Sequence, residues 1–156
     1  MGIARLIQNA APTDTRVEDS TRPETNERIR QTTQASLRRA AESTAQIERR
    51  LYELDQEWEV ERVLQTNFGI ATLASMALGF LVARPWFLLA GVAAAFMGEH
   101  ALKGWCPPVP LLRRVGFRTS REINRERYAL KALRGDFKSI RAAGPQRLLR
   151  ATGRSV

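Results

Sequence analysis

The chain has 156 residues, with 25 Lys and Arg against 16 Asp and Glu, one cysteine and one histidine. One cysteine excludes an internal disulfide framework, and Cys106 with His100 cannot supply the roughly four ligands of a Cys/His zinc site. That scarcity also leaves little for a Cys/His or Ser/His/Asp active centre, so the composition reads as non-enzymatic, with no metal and no cofactor.

The net charge of +9 and the pI of about 11.1 suggest, as averages, a small nucleic-acid binder. Zoning the chain changes that. Residues 1–62 carry 10 basic and 12 acidic side chains, 63–102 only Arg84 and Glu99, and 103–156 carry 14 basic and 3 acidic. The basic character belongs almost wholly to the C-terminal third.

In chain order, residues 8–26 are rich in Thr, Asp, Asn and Pro, and 1–23 is expected to be a disordered tail. Residues 24–62 read as one amphipathic helix. Leu37, Ala40, Thr44, Ile47, Leu51, Leu54 and Trp58 recur near a 3.5-residue period, which fits a coiled-coil seam, a membrane-surface helix or a solvated extension of the next segment.

From Val63 to Ala83 no residue is charged, and a second apolar run follows Arg84-Pro85 to Trp105. Each run is long enough to cover a hydrocarbon core about 30 Å thick, and the proline divides them. The expectation is an all-α protein with a transmembrane helical hairpin, spans 63–83 and 85–105. Small residues recur at four-residue steps in both spans: Ala71, Ser75, Gly79 and Ala83, then Ala90, Ala94 and Gly98. Such stripes permit close helix packing in lipid, within one chain or between copies of a homo-oligomer.

Residues 106–118 open on Cys106-Pro107-Pro108-Val109-Pro110, a stiff interfacial exit. Thr119-Ser120-Arg121-Glu122 fits a capping box, opening a basic amphipathic helix over 119–141. Residues 142–156 read as a basic tail. Arg113, Arg114, Arg118, Arg121 and Arg125 are candidate lipid-facing cations on anionic lipid. With Arg49, Arg50 and Arg62 before the first span, Lys and Arg stand near the spans on both sides, which predicts two crossings with both termini cytoplasmic. Trp86 and Trp105 mark opposite ends of the second span, as an aromatic belt does.

Three residues are candidates for chemistry. Cys106 sits where the second span ends, with Lys103 and Arg113 near in sequence to favour a thiolate. Glu99 and His100 are ionisable residues inside that span, although Glu99 and Lys103 at i,i+4 can satisfy each other.

Val60-Glu61-Arg62-Val63-Leu64, Arg84-Pro85-Trp86-Phe87-Leu88-Leu89 and Gly104-Trp105-Cys106-Pro107 together resemble the YgaP-like two-helix inner-membrane domain family of bacteria. The stretch Glu126-Arg127-Tyr128-Ala129-Leu130 to Phe137 resembles an extension in some relatives, and the likeness covers about residues 58–138. It implies a bacterial inner membrane and dimerisation through the hairpin. The rhodanese domain of the best-known members is missing here, so their sulfurtransferase activity does not carry over. A cysteine at the second exit is frequent in the family, which makes sulfane-sulfur handling by Cys106 the sharp reading of that residue.

The sequence thus predicts a non-enzymatic membrane anchor or scaffold, recruiting a cytoplasmic protein partner through the 24–62 helix. The alternatives are a small hairpin-dimer transporter or channel using Glu99 and His100 for sulfur or anion handling, and a soluble basic nucleic-acid binder. The last is disfavoured by the zoning of charge.

Overall fold

The structure, a computed structural model, describes residues 14–137. Among them it is all-helical: α1 (Arg16–Asp19), α2 (Pro23–Ala40), α3 (Thr44–Gln56), α4 (Val60–Leu81), α5 (Trp86–Lys103), α6 (Val109–Val115) and α7 (Ser120–Arg134). Described residues up to Thr32, with Glu57–Ile123, form one compact unit; Thr33–Gln56 and those from Asn124 onward form a second. Residues 1–13 of the expected tail, the end of the basic helix beyond Phe137 and the 142–156 tail lie outside the described residues.

The first unit is built on a helical hairpin. The 22 residues of α4 rise about 33 Å and the 18 of α5 about 27 Å. They separate at Ala83-Arg84-Pro85, where the proline was expected to divide them. Their facing sides carry small residues. Ser75 and Gly79 are buried, and Ser75 Oγ donates to the Ala71 carbonyl at 2.6 Å. A Cβ on Gly79 would lie 2.7 Å from the Phe87 ring, so this glycine is where the second helix docks. Phe87 also meets Phe80 edge to face, with ring centroids 5.0 Å apart.

That docking sets the rotation of α5. A seam beginning at Phe87 continues through half-buried Ala90 and buried Ala93 to half-buried Met97. It shares Ala90 with the expected Ala90–Ala94–Gly98 stripe and then runs one residue before it, leaving Ala94 and Gly98 exposed. In the first stripe Ala71 is half-buried and Ala83 is exposed beyond the helix end.

At the open end of the hairpin, Val17, Val60, Leu64, Cys106 and Val109 form a buried cluster, with Phe68, Met97, Leu112 and Phe117 packed on it. Val17 comes from the stretch expected to be disordered. Its turn is ordered by side chains that favour local bonding: Thr21 Oγ1 donates to the Val17 carbonyl (2.6 Å), Asn26 Nδ2 to that of Glu18 (2.8 Å) and Ser20 Oγ to that of Gly104 (3.0 Å). The polar composition of 14–23 is therefore turn chemistry rather than disorder.

Gly104 ends α5 with φ of 72°, and its N–H reaches the His100 carbonyl at 2.8 Å. A Cβ there would stand 2.4 Å from the Arg16 carbonyl carbon. Two independent demands, left-handed backbone and close approach, fix glycine at this position. The Pro-rich exit is also more structured than expected. Pro110 stands in the first turn of α6, where a missing N–H costs nothing, and Gly116 closes that helix with φ of 109°.

In the second unit the expected 24–62 helix is broken. Ser43 restarts the chain by accepting the Gln46 N–H at 3.3 Å, and Ser43-Thr44-Ala45-Gln46 is itself a capping-box pattern. Ala40, Ile47, Leu51 and Leu54 of the predicted seam are buried, while Thr44 is exposed. What closes over α3 is this chain's own α7. Arg50 grips Glu126 through Nε (2.8 Å) and Nη2 (3.1 Å), Arg127 reaches Asp55 (2.8 Å), and Leu130 is fully buried. Four of the seven positions of the seam are thus buried within the chain itself. Its last member, Trp58, belongs to the first unit and carries the Arg62 guanidinium 4.5 Å above its ring.

Candidate functional site at the base of the hairpin

Arg113 organises the base. It is 0% exposed, and all five of its N–H donors are used. Nε donates to Thr21 Oγ1 (3.3 Å). Nη1 donates to the Phe117 carbonyl (3.1 Å) and Glu122 Oε2 (2.6 Å), and Nη2 to Asn26 Oδ1 (2.8 Å) and Glu122 Oε1 (2.8 Å). The pair with Glu122 is bidentate, the strongest form of this contact.

Glu122 is also the far end of the expected capping box. Its Oε2 accepts the Thr119 N–H at 2.8 Å, and its own N–H reaches Thr119 Oγ1 at 3.2 Å. Burial pushes the Glu122 carboxyl upward; the hydrogen bonds from Arg113 and Thr119, with the Arg113 charge, outweigh it and hold the group below the usual carboxylate range.

Arg118, also buried, makes a second fork on Glu57 (2.7 and 2.6 Å), and its carbonyl accepts the Val60 N–H at 2.9 Å. Ser120 donates to Glu59, Thr119 Oγ1 meets Glu18 Oε1 at 3.2 Å, and Arg121 stands 3.3 Å from Asp14. The expected row of lipid-facing cations is corrected accordingly. Arg113 and Arg118 face inward, Arg121 is half-buried, and only Arg114 and Arg125 of the five are exposed. Acidic residues of the first sequence zone fold back onto the basic third zone and take up its cations. Opposite charge in the two flanks was the signal available for this; the partners, 61 positions apart for Arg118 and Glu57, were not.

The three candidates for chemistry are not brought into one centre. Cys106 is 0% exposed inside the apolar cluster, and burial pushes its thiol up, away from the reactive thiolate. Arg113, expected to favour that thiolate, is committed to Glu122. Glu99 pairs with Lys103 at 3.0 Å, the i,i+4 contact its spacing allows. His100 is buried, and neither ring nitrogen has a hydrogen-bond partner among the described residues; the same holds for Glu61 Oε2 in the first turn of α4. Among the described residues, no group of three or more His, Cys, Asp and Glu side chains is arranged to hold a metal ion.

Away from the base, the hairpin's outer surface is apolar and uncovered. Leu73, Phe80, Leu81 and Leu88 are 71%, 76%, 83% and 73% exposed, with Ile70, Met76, Leu89 and Val92 beside them. Trp86 and Trp105, at opposite ends of α5, are both exposed. Within Thr44–Leu81 one helix is long and apolar enough to cross a membrane by length and composition. The shorter α5, with Glu99, His100 and Lys103 in its last turns, does not meet that standard.

No known family matches the chain, and neither does any curated protein or solved structure. The YgaP-like resemblance rests on the quoted motifs alone.

Proposed function

We propose that this chain is a non-enzymatic membrane anchor. In this reading α4 and α5 cross a bacterial inner membrane as a hairpin, with both flanks cytoplasmic and folded into a helical base. The observation that carries it is the set of large apolar side chains left exposed on the hairpin, Ile70, Leu73, Phe80, Leu81 and Leu88 among them, the kind of surface that marks a membrane or protein contact. Arg62, Arg50 and Arg49 before the hairpin and the Lys and Arg residues after it support the orientation. Ala94 and Gly98, left open on the outer face of α5, are the small residues available for close approach by a second copy in a homo-oligomer.

The transporter reading is weaker, because Glu99 is already paired with Lys103. The nucleic-acid reading is weaker too, because Arg113, Arg118 and Arg127 are engaged within the chain. Carbonate washing of membranes from cells making the full chain tests the anchor: the protein is expected in the pellet. Recovery in the supernatant would overturn membrane insertion.

A further inference from the structure

A small pocket of about 250 Å³ opens in the first unit beside the end of α5, lined by Arg22, Thr25, Trp105, Pro110 and Arg114 together with Ser20 and Thr21. It lies below the roughly 300–1,000 Å³ of a drug-sized site, which suits a single compact group. Its chemistry is one-sided. No carboxylate lines it, and two guanidinium groups do.

Those two cations differ from their neighbours. Arg113, Arg118 and Arg121 each have an acidic partner. The Arg22 and Arg114 side chains have none among the described residues, although the Arg114 carbonyl is fixed by a 2.6 Å bond from Arg28 Nη2. The Ser20 and Thr21 hydroxyl protons are spent on the Val17 and Gly104 carbonyls, which shapes the wall without supplying donors. Arg22, Arg114, the Thr25 hydroxyl and the Trp105 indole N–H remain as donors, and all are suited to an oxyanion.

Position selects the source of that oxyanion. Trp105 ends the apolar hairpin, and Leu111 and Val115, which flank Arg114 along α6, are both exposed. A ligand in this pocket is phosphate-like at one end and has an apolar surface at the other. We propose that the pocket binds the phosphate of an anionic phospholipid headgroup, with Arg22 and Arg114 as its cationic clamp. This inference rests on the membrane-anchor reading.

The test uses the full chain reconstituted in phosphatidylcholine vesicles containing increasing phosphatidylglycerol, with bound lipid counted by native mass spectrometry after gentle detergent release. Removing both cations (Arg22→Gln with Arg114→Gln) is expected to weaken phosphatidylglycerol retention roughly 30-fold, from about 1 kcal/mol per arginine. The charge-matched pair Arg38→Gln with Arg39→Gln is expected to change it less than about twofold. Trp105→Phe, which keeps an aromatic side chain and removes the N–H, is expected to give a smaller loss and guards against misfolding of the double variant. Equal losses in both double variants would reduce the effect to bulk charge and overturn the pocket. Full displacement of lipid by glycerol phosphate would assign the pocket to a free phosphate and overturn the lipid source. A protein that stays in the carbonate pellet while showing either outcome refutes the pocket alone; one that is washed out refutes the anchor reading beneath it.

Discussion

The outer hairpin and its base invert the usual rule of burial in opposite ways. At the hairpin, Phe80 is 76% exposed and Leu81 83%, while the buried positions between the helices are Ser75, Gly79 and Ala93. At the base, on α6 and the start of α7, Arg113 is fully enclosed and Glu122 nearly so. A water-soluble helical pair buries its large apolar groups because water drives them inward. Here the helices meet through small side chains and turn the large ones out, the pattern that the proposed membrane anchor calls for. At the base, the buried Arg113 and Arg118 guanidinium groups are matched by the Glu122 and Glu57 carboxylates. The boundary between the two regimes falls near Glu99, Lys103 and Trp105.

The sharpest way to break the base is to leave a charge alone inside it. Arg113→Ala strands the Glu122 carboxylate with Asn26 and Thr21, and is expected to destabilise the protein by about 3–5 kcal/mol. Thermal unfolding in mild detergent measures it; a loss below about 1 kcal/mol would mean the enclosure is not real. Gly104→Ala comes next. The left-handed backbone costs about 1–2 kcal/mol and the approach to Arg16 adds to it, since a carbonyl cannot rotate away as a side chain can.

The hairpin offers a matched pair of glycines. Gly79→Ala puts a methyl into the Phe87 ring and is expected to cost about 1–3 kcal/mol. Gly98→Ala meets nothing within 4 Å and is expected to leave the monomer unchanged or stabilise it by up to about 1 kcal/mol through helix propensity. Equal effects at the two positions would place the helix seam elsewhere. The mildest probe is pH. Because the Glu122 carboxyl is held low when folded, its contribution to stability is fully present above the ordinary value of about 4.3 and is lost as pH falls through the lower folded value. Glu122→Gln should flatten the acid limb of the stability profile; an unchanged limb would remove Glu122 from its control.

Sequence alone carried the features whose causes are local. The two apolar runs, the division at Arg84-Pro85, the Thr119–Glu122 capping box and the Glu99–Lys103 pair all depend on residues within a turn or two of one another. Ser43-Thr44-Ala45-Gln46 was equally local and was overridden by the continuous seam around it, which is why the 24–62 helix reads as one piece and folds as α2, α3 and the first residues of α4.

Tertiary structure decided which of many similar residues go inside. Nothing in Arg113 or Arg118 marks them apart from Arg114, because the acids and amides that enclose them stand as far as 87 positions away. Likewise the choice of Gly79 over Gly98 as the docking point came from where one ring, Phe87, lands on the facing helix. Helix boundaries, spans and caps are written in neighbouring residues. The burial of a charge, or the rotation of one helix against another, is a property of surroundings that exist only once the chain has folded.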